Sequence, residues 1–371
     1  MVMSLKTDNK KRLIRFRNLF STASIDTMLV LVAENRRYLS GFTAEDTQFD
    51  ESSGALFISQ NKGILATDSR YELQAQAEAP AFEIYCYRNG MEKALPGILQ
   101  ALETKRLGFE SNRLSFQQYQ KLTHQIETDK LPVKLVETEN LADTLRIKKD
   151  ESEISEIKQA LSLAENVFRD VFQTLRPGMI ERDVAWAMEK GMREAGAEAV
   201  SFPTIVASGS NSALPHAVPG NRKFRSGEPI LFDWGAKRNG YCSDISRTIC
   251  IGKPDETYRK AFQTVLDAQQ MAIEAIRPGV STKHIDGIAR RHIEKNGFKG
   301  KFGHSLGHGT GLSIHEYPRL SPLYDKQLEP GMVCTVEPGV YLPEWGGIRI
   351  ENMIVVRDDG VEVLNDLQTA F

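Results

Sequence analysis

Apolar and polar positions change their period from stretch to stretch along the chain. Residues 27–33 and 54–59 are short apolar runs between polar flanks, the pattern of buried strands, whereas 92–104 and 115–126 repeat apolar residues at helical spacing. The first 140 or so residues therefore predict an α/β domain. Residues 138–150 form a polar connector, after which Asp150-Glu151-Ser152-Glu153 opens a long amphipathic helix running toward Thr174. Domains at 1–140 and 141–371 follow from that change of pattern.

The second part carries an internal repeat. Leu175-Arg176-Pro177-Gly178 is followed by a helix-like stretch ending at Gly196, and Ile276-Arg277-Pro278-Gly279 by one ending at Gly297. Each segment is 22 residues long, the two start 101 residues apart, and each follows a long helical pattern (153–174 and 256–275). A duplicated α/β half-domain explains the matching length, flanks and second glycine together. Two such halves meet in a cleft, where ligand sites concentrate.

Composition narrows the function classes. A chain of 371 residues exceeds the usual size of a single core, in keeping with two domains. Lys plus Arg number 47 against 49 for Asp plus Glu, so no overall basic field exists to hold nucleic acid or an anionic membrane. The short basic stretch from Lys10 to Arg17 reads as a solvated helix face. Residues 28–33 are too brief for a signal-peptide core or a membrane span, so neither export nor membrane insertion is expected. Cys86, Cys242, Cys250 and Cys334 follow no metal-type spacing and read as buried thiols of a reducing cytoplasm.

Candidate chemistry lies in the second part. Residues 229–235 and 241–252 are strand-like runs on either side of Asn239-Gly240, a strong hairpin signal, and should pair antiparallel. Asp233 and Asp244 are 11 residues apart, so any even-length loop puts both side chains on one face, opposite or diagonal. Like charges across a strand pair, beside Ile230, Leu231, Phe232 and Trp234, are costly without a cation between them. A solvent-facing Asp, or neutralisation by Arg247, is the plainer alternative. His308 stands among glycines in Gly307-His308-Gly309-Thr310-Gly311, and His304 and His315 bring three imidazoles within 12 residues. His308 alone reads better as a turn histidine, and the cluster of three shifts the balance toward a site. Glu337 ends the apolar run 332–336 before Pro338-Gly339, where a carboxylate seldom lacks a partner. Glu351 shares a strand face with Arg349 and Met353, which offers an Arg349–Glu351 ion pair as its alternative. Together, four carboxylates and an imidazole form a hard, oxygen-rich set suited to manganese, iron(II), cobalt or zinc. Two metals bridged by shared carboxylates would neutralise the cluster and activate a water.

The order and spacing of these motifs resemble a known family. Phe232-Asp233-Trp234-Gly235, Tyr241-Cys242-Ser243-Asp244-Ile245-Ser246-Arg247-Thr248, Gly307-His308-Gly309-Thr310-Gly311, Val336-Glu337-Pro338-Gly339 and Arg349-Ile350-Glu351 are similar to the signatures of the pita-bread metallopeptidases, in their Xaa-Pro branch of aminopeptidase P and prolidase. The resemblance spans nearly the whole chain and implies a creatinase-like N-terminal α/β domain before a pseudo-symmetric pita-bread catalytic domain. It implies that Asp233 binds one metal, that Asp244 and Glu351 bridge both, and that His308 and Glu337 bind the other. Two divalent ions, manganese foremost with cobalt, zinc or iron admissible, would then activate a bridging hydroxide, with Glu337 as proton relay. His216 and His315 match the family's substrate-contacting histidines, with His304 and Arg349 as further substrate contacts. The substrate implied is a peptide with proline in second position, and the assembly a cytoplasmic homodimer without nucleic-acid or membrane partners.

Trp234 stands where the family usually has Phe, and Asn352 follows Glu351 where an acid is frequent; neither removes a ligand. The rival readings are a creatinase-like, metal-free amidinohydrolase and a non-catalytic pita-bread binding protein. Relatives of both kinds lack part of the ligand set that is complete here. Methionine aminopeptidase activity is admissible on fold grounds alone. The motifs do not separate aminopeptidase P from prolidase.

Overall fold

The computed structural model describes residues 2–46, 48 and 51–369, with side chains from residue 9 onward. The chain divides between Arg146 and Ile147 into two compact units.

The first unit is built on a six-stranded mixed sheet of β1 (Thr27–Val30), β2 (Ala55–Ser59), β3 (Gly63–Asp68), β4 (Glu83–Tyr87), β5 (Arg106–Glu110) and β6 (Lys134–Thr138), in the order β4-β3-β2-β1-β5-β6. Leu29, Phe57 and Leu107 of the sheet pack with Leu95 and Ile98 of the helix Met91–Ala101 and Leu122 of the helix Phe116–Thr128. Ser115 and Gln118 form a capping box that starts the latter helix. The helix Ala33–Ser40 has no side-chain cap of its own. Glu110 serves instead, its carboxylate accepting from Leu31 N (2.6 Å), Val32 N (2.7 Å) and Asn35 Nδ2 (2.7 Å).

The second unit shows the duplication expected from the repeat. The helices Glu151–Phe172 and Glu181–Glu194 lie on either side of the first Arg-Pro-Gly turn, and Glu256–Ala275 and Thr282–Ile293 on either side of the second. Both turns are tied down alike: Gly178 N donates to Phe224 O (2.9 Å) and Gly279 N to Leu328 O (2.8 Å), while Ile180 bridges Lys223 and Ser281 bridges Gln327. The turn glycines have φ of 92° and 82°, and Gly196 and Gly297 end both repeats at 100° and 93°, values that a side chain would strain.

Between the helix pairs run β7 (Ala199–Val200), β8 (Ile205–Ser208), β9 (Pro229–Trp234), β10 (Ala236–Arg238), β11 (Tyr241–Cys242) and β12 (Ile245–Cys250). The second half adds β13 (Gly307–Gly309), β14 (Glu316–Leu320), β15 (Val333–Val336), β16 (Gly339–Leu342), β17 (Gly346–Arg349), β18 (Asn352–Arg357) and β19 (Gly360–Val363). One antiparallel register runs through the 229–250 hairpin, with Asp233 opposite Ser246 and Arg238 opposite Tyr241. Asn239 and Gly240 turn it with φ of 47° and 78°, as a two-residue primed turn requires. Trp234 is fully buried, stacked on Phe168 at 4.4 Å with its indole N–H on Ala164 O (3.0 Å), so the larger ring finds both space and an acceptor.

Among the described residues no helix is long and apolar enough to cross a membrane. All four cysteines are free. Cys242 and Cys334 are buried as expected, but Cys86 and Cys250 are only half-buried, because each sits toward the end of a strand near the unit's surface.

Candidate metal centre and active site

Four of the five candidate ligands come from strand ends and strand breaks, where a side chain leaves the ladder while its backbone stays anchored, and the fifth, His308, sits at a register shift within its strand. Asp233 lies near the end of β9, Asp244 in the break between β11 and β12, His308 in the middle of β13, Glu337 just beyond β15 and Glu351 between β17 and β18. Gln269, buried in the helix Glu256–Ala275, donates its amide N–H groups to Val336 O and Ile350 O (3.0 Å each), the residues immediately before the two glutamates. One side chain thus anchors both departures from the sheet.

Asp233, Asp244 and Glu351 each offer an oxygen within 4.8 Å of the others. His308 Nε2 stands 3.5 Å from Asp244 Oδ2 and 3.5 Å from Glu337 Oε1. Its Nδ1 faces Gly309 O at 3.0 Å, and a carbonyl can only accept, so Nδ1 carries the proton and Nε2 turns a lone pair toward two carboxylates. Asp233 Oδ1 and Glu351 Oε1 are buried without any hydrogen-bond partner. Electron-rich atoms facing one another in a buried site need a cation among them, and this donor set fits divalent metal.

Charge makes the same demand. Burial and the charges of Glu351, Asp233 and Glu337 push the Asp244 carboxyl well above its usual range, and burial with Glu337 and Asp233 does the same to Glu351. Burial pushes Glu337 up to about 8 and raises Asp233, the latter against the pull of Arg349. Burial and neighbouring His315 hold His308 down at about 3, so its imidazole is neutral and available as a ligand.

Arg349 is the single guanidinium in direct contact with the acids among the described residues. It pairs through Nη2 with Asp233 Oδ2 (2.6 Å), and donates from Nε to Ser246 Oγ (2.7 Å) and from Nη1 to Tyr341 Oη (2.9 Å) and Pro215 O (3.1 Å). Arg247, the neutralising alternative from sequence, lies opposite Phe232 and faces away; it donates to Leu367 O (2.8 Å), Gln368 O (2.9 Å), Asn352 Oδ1 (3.0 Å) and Glu351 O. Asn352, where an acid is frequent in the family it resembles, is therefore an acceptor for this buried cation.

The acids open onto a pocket of about 560 Å³. His216, His304, His315, His308 and Arg349 all border it, together with Phe202, Ile205, Val218, Ile314 and Arg319. His216 is exposed on the loop between Leu214 and Val218, and the His315 ring meets the His308 ring edge-on at 4.4 Å. Two of the groups bordering the pocket, His304 and Arg349, are also engaged by the protein. His304 Nδ1 is on Ser305 O (2.8 Å) and its Nε2 on Tyr341 Oη (2.8 Å), and all three Arg349 nitrogens are held by protein. Since Nδ1 must be the protonated nitrogen, the Tyr341 hydroxyl donates to His304 and accepts from Arg349.

Three polar groups of the site escaped the sequence reading. Ser246 could have been found by the strand period, two residues from Asp244 and so on the same face; Tyr341 and Arg319 carry no spacing signal.

Residues 155–358 match the family model described as metallopeptidase family M24, and residues 12–148 that of the creatinase/prolidase N-terminal domain. The chain is 34% identical to an Xaa-Pro dipeptidase of Pyrococcus horikoshii over 359 residues, 96% of this chain and 97% of that protein. Among solved structures it superposes on an Xaa-Pro dipeptidase from Bacillus anthracis with a TM-score of 0.91 at 35% identity, covering 98% of this chain and 100% of that one. An X-Pro aminopeptidase from Thermotoga maritima gives 0.85 at 37% identity, covering 94% and 97%.

Proposed function

The chain belongs to metallopeptidase family M24, and from that premise we propose that it hydrolyses the Xaa-Pro peptide bond, foremost in Xaa-Pro dipeptides, with two divalent ions per chain. The observation that carries the reading is the lone pair of His308 Nε2 facing two carboxylates, with partnerless oxygens on Asp233 and Glu351, beside a pocket sized for a small peptide. Asp233, Asp244, His308, Glu337 and Glu351 would hold the metal, which supplies Lewis acidity toward the scissile carbonyl and a water acidic enough to ionise near neutral pH. Manganese is the ion this oxygen-rich set favours.

The chain's own groups divide the remaining work. Glu337 takes the proton of the attacking water and passes it to the proline nitrogen as the bond breaks. His216 and His315, on the pocket wall, hydrogen-bond the carbonyl oxygen as negative charge grows there. Tyr341 and Arg349 act from behind, holding His304 and Asp233. Arg319 favours the dipeptide over longer peptides: it lines the pocket with no acidic partner among the described residues, and a free C-terminal carboxylate is the substrate group that would meet it. The names of the relatives support both activities. The complete ligand set opposes a metal-free amidinohydrolase and a non-catalytic binding module. A cytoplasmic homodimer completes the proposal.

Chromatography of the products from a mixed Xaa-Pro dipeptide and Xaa-Pro-Yaa tripeptide, with manganese and with a chelated control, tests it. Free proline lost on chelation is the expected result, and Pro-Yaa as the main product would favour the aminopeptidase. Cleavage of neither by metal-loaded protein would overturn the reading.

A further inference from the structure

We propose that Ser246 is a positioning residue for the metal centre: its hydroxyl keeps Arg349 off Glu351 and leaves one oxygen of Glu351 free to ligate. This rests on the two-metal reading above.

Ser246 is fully buried, opposite Asp233 in the β9–β12 ladder, and its carbonyl accepts from Glu351 N (3.0 Å). Its hydroxyl accepts from Arg349 Nε (2.7 Å) and donates to Glu351 Oε2 (2.8 Å). A hydroxyl has one proton to give, so the relay has a single direction, guanidinium to hydroxyl to carboxylate. Arg349 therefore makes its direct ion pair with Asp233 and reaches Glu351 only through the serine. The result is a division of oxygens. Asp233 spends Oδ2 on Arg349 and Glu351 spends Oε2 on Ser246, and the two oxygens left buried without a partner are Asp233 Oδ1 and Glu351 Oε1. Without the hydroxyl, Arg349 Nε and Glu351 Oε2 would each lack a partner and be each other's nearest remedy. A guanidinium closed on that carboxylate competes with a metal for it. Partners of this kind, one bond behind the ligands, typically change metal affinity by about 10–100-fold.

The test is titration of metal-free protein with Mn(II) by calorimetry, and with Co(II) by visible absorption, for the wild type, Ser246→Ala and Ser246→Thr. Thermal unfolding in chelator checks that each variant folds, and Ser246→Cys, a weaker donor of similar size, replaces Ser246→Ala should the latter not fold. Expected are a tenfold or greater loss of Mn(II) affinity and an altered Co(II) spectrum in Ser246→Ala, with both restored in Ser246→Thr. Wild-type affinity and spectrum in Ser246→Ala would overturn the proposal, as would an equal loss in Ser246→Thr, which would trace the effect to packing. A wild type that takes up neither ion would instead overturn the metal reading on which it stands.

Discussion

Replacing Lys149 with methionine should unsettle the catalytic unit from one side of a buried ion pair. Lys149 Nζ lies 2.9 Å from Glu316 Oε2, with side chains 1% and 7% exposed, so solvent screens neither charge. Breaking such a pair by removing one partner costs about 3–5 kcal/mol, because the survivor loses its opposite charge in a buried place. That is a large share of the roughly 5–15 kcal/mol that holds a domain together. Removing both charges is different: Lys149→Met with Glu316→Gln should recover much of the loss, since no charge is left buried and the amide oxygen can still accept from Ser313 N. The damage should also reach the site. Glu316 follows His315, and its Oε1 accepts from Ser313 N (3.0 Å), so it holds the loop that returns from His308 to His315. Misplacing a catalytic group by about 1 Å costs on the order of 100-fold in rate. Urea unfolding of metal-free protein, followed by tryptophan fluorescence, reports the second unit alone, because Trp186, Trp234 and Trp345 all lie in it. A Lys149→Met variant within about 0.5 kcal/mol of wild type, inside the usual range for surface changes, or a double variant no more stable than the single, would refute the reasoning.

Metal binding should depend on pH. Burial holds Glu337 at about 8 in the metal-free centre and a ligand must be ionised, so Mn(II) affinity should fall as pH drops below about 8, about tenfold per unit for each proton displaced. Calorimetry in buffers of different ionisation enthalpy reads the released protons, and a flat affinity between pH 6 and pH 8 contradicts this. Arg319→Gln should raise KM about tenfold for an Xaa-Pro dipeptide, the low end of a charged hydrogen bond, and leave it unchanged for the dipeptide amide; equal effects on both would remove Arg319 from carboxylate recognition. In the first unit, burial pushes Glu110 up to about 7, above the value near 4.5 of an unfolded chain. Its contribution to stability is then full below pH 4.5 and lost as pH rises through 7, about 3 kcal/mol in all. Urea unfolding by far-UV circular dichroism at pH 5 and pH 8 should show a smaller difference in Glu110→Gln than in wild type, and equal differences would count against it.

What could be read from the sequence is what survives ignorance of register. The 11-residue spacing across Asn239-Gly240 put Asp233 and Asp244 on one face for any even-length loop, and the structure has them diagonal across a two-residue turn. The duplicated Arg-Pro-Gly turns were visible because each demands a glycine at positive φ. What was hidden depends on contacts between distant segments. The continuous strand expected through Glu351 is broken, since Ile350 O turns to Gln269 and Glu351 N to Ser246 O. Arg349 and Glu351 both reach the Ser246 hydroxyl, yet the ion pair of Arg349 is with Asp233, across 116 positions of sequence. A lone hydroxyl such as Tyr341 has no periodicity to betray it.

The most direct measurement is elemental analysis of protein dialysed at increasing Mn(II), with cleavage of an Xaa-Pro dipeptide read in the same samples, for wild type and Glu351→Gln. Cleavage that rises only as two ions per chain bind, with the variant holding fewer than two and losing at least 100-fold in rate, is expected. Full-rate cleavage by metal-free protein, or a variant that binds two ions and cleaves like wild type, would contradict the two-metal centre.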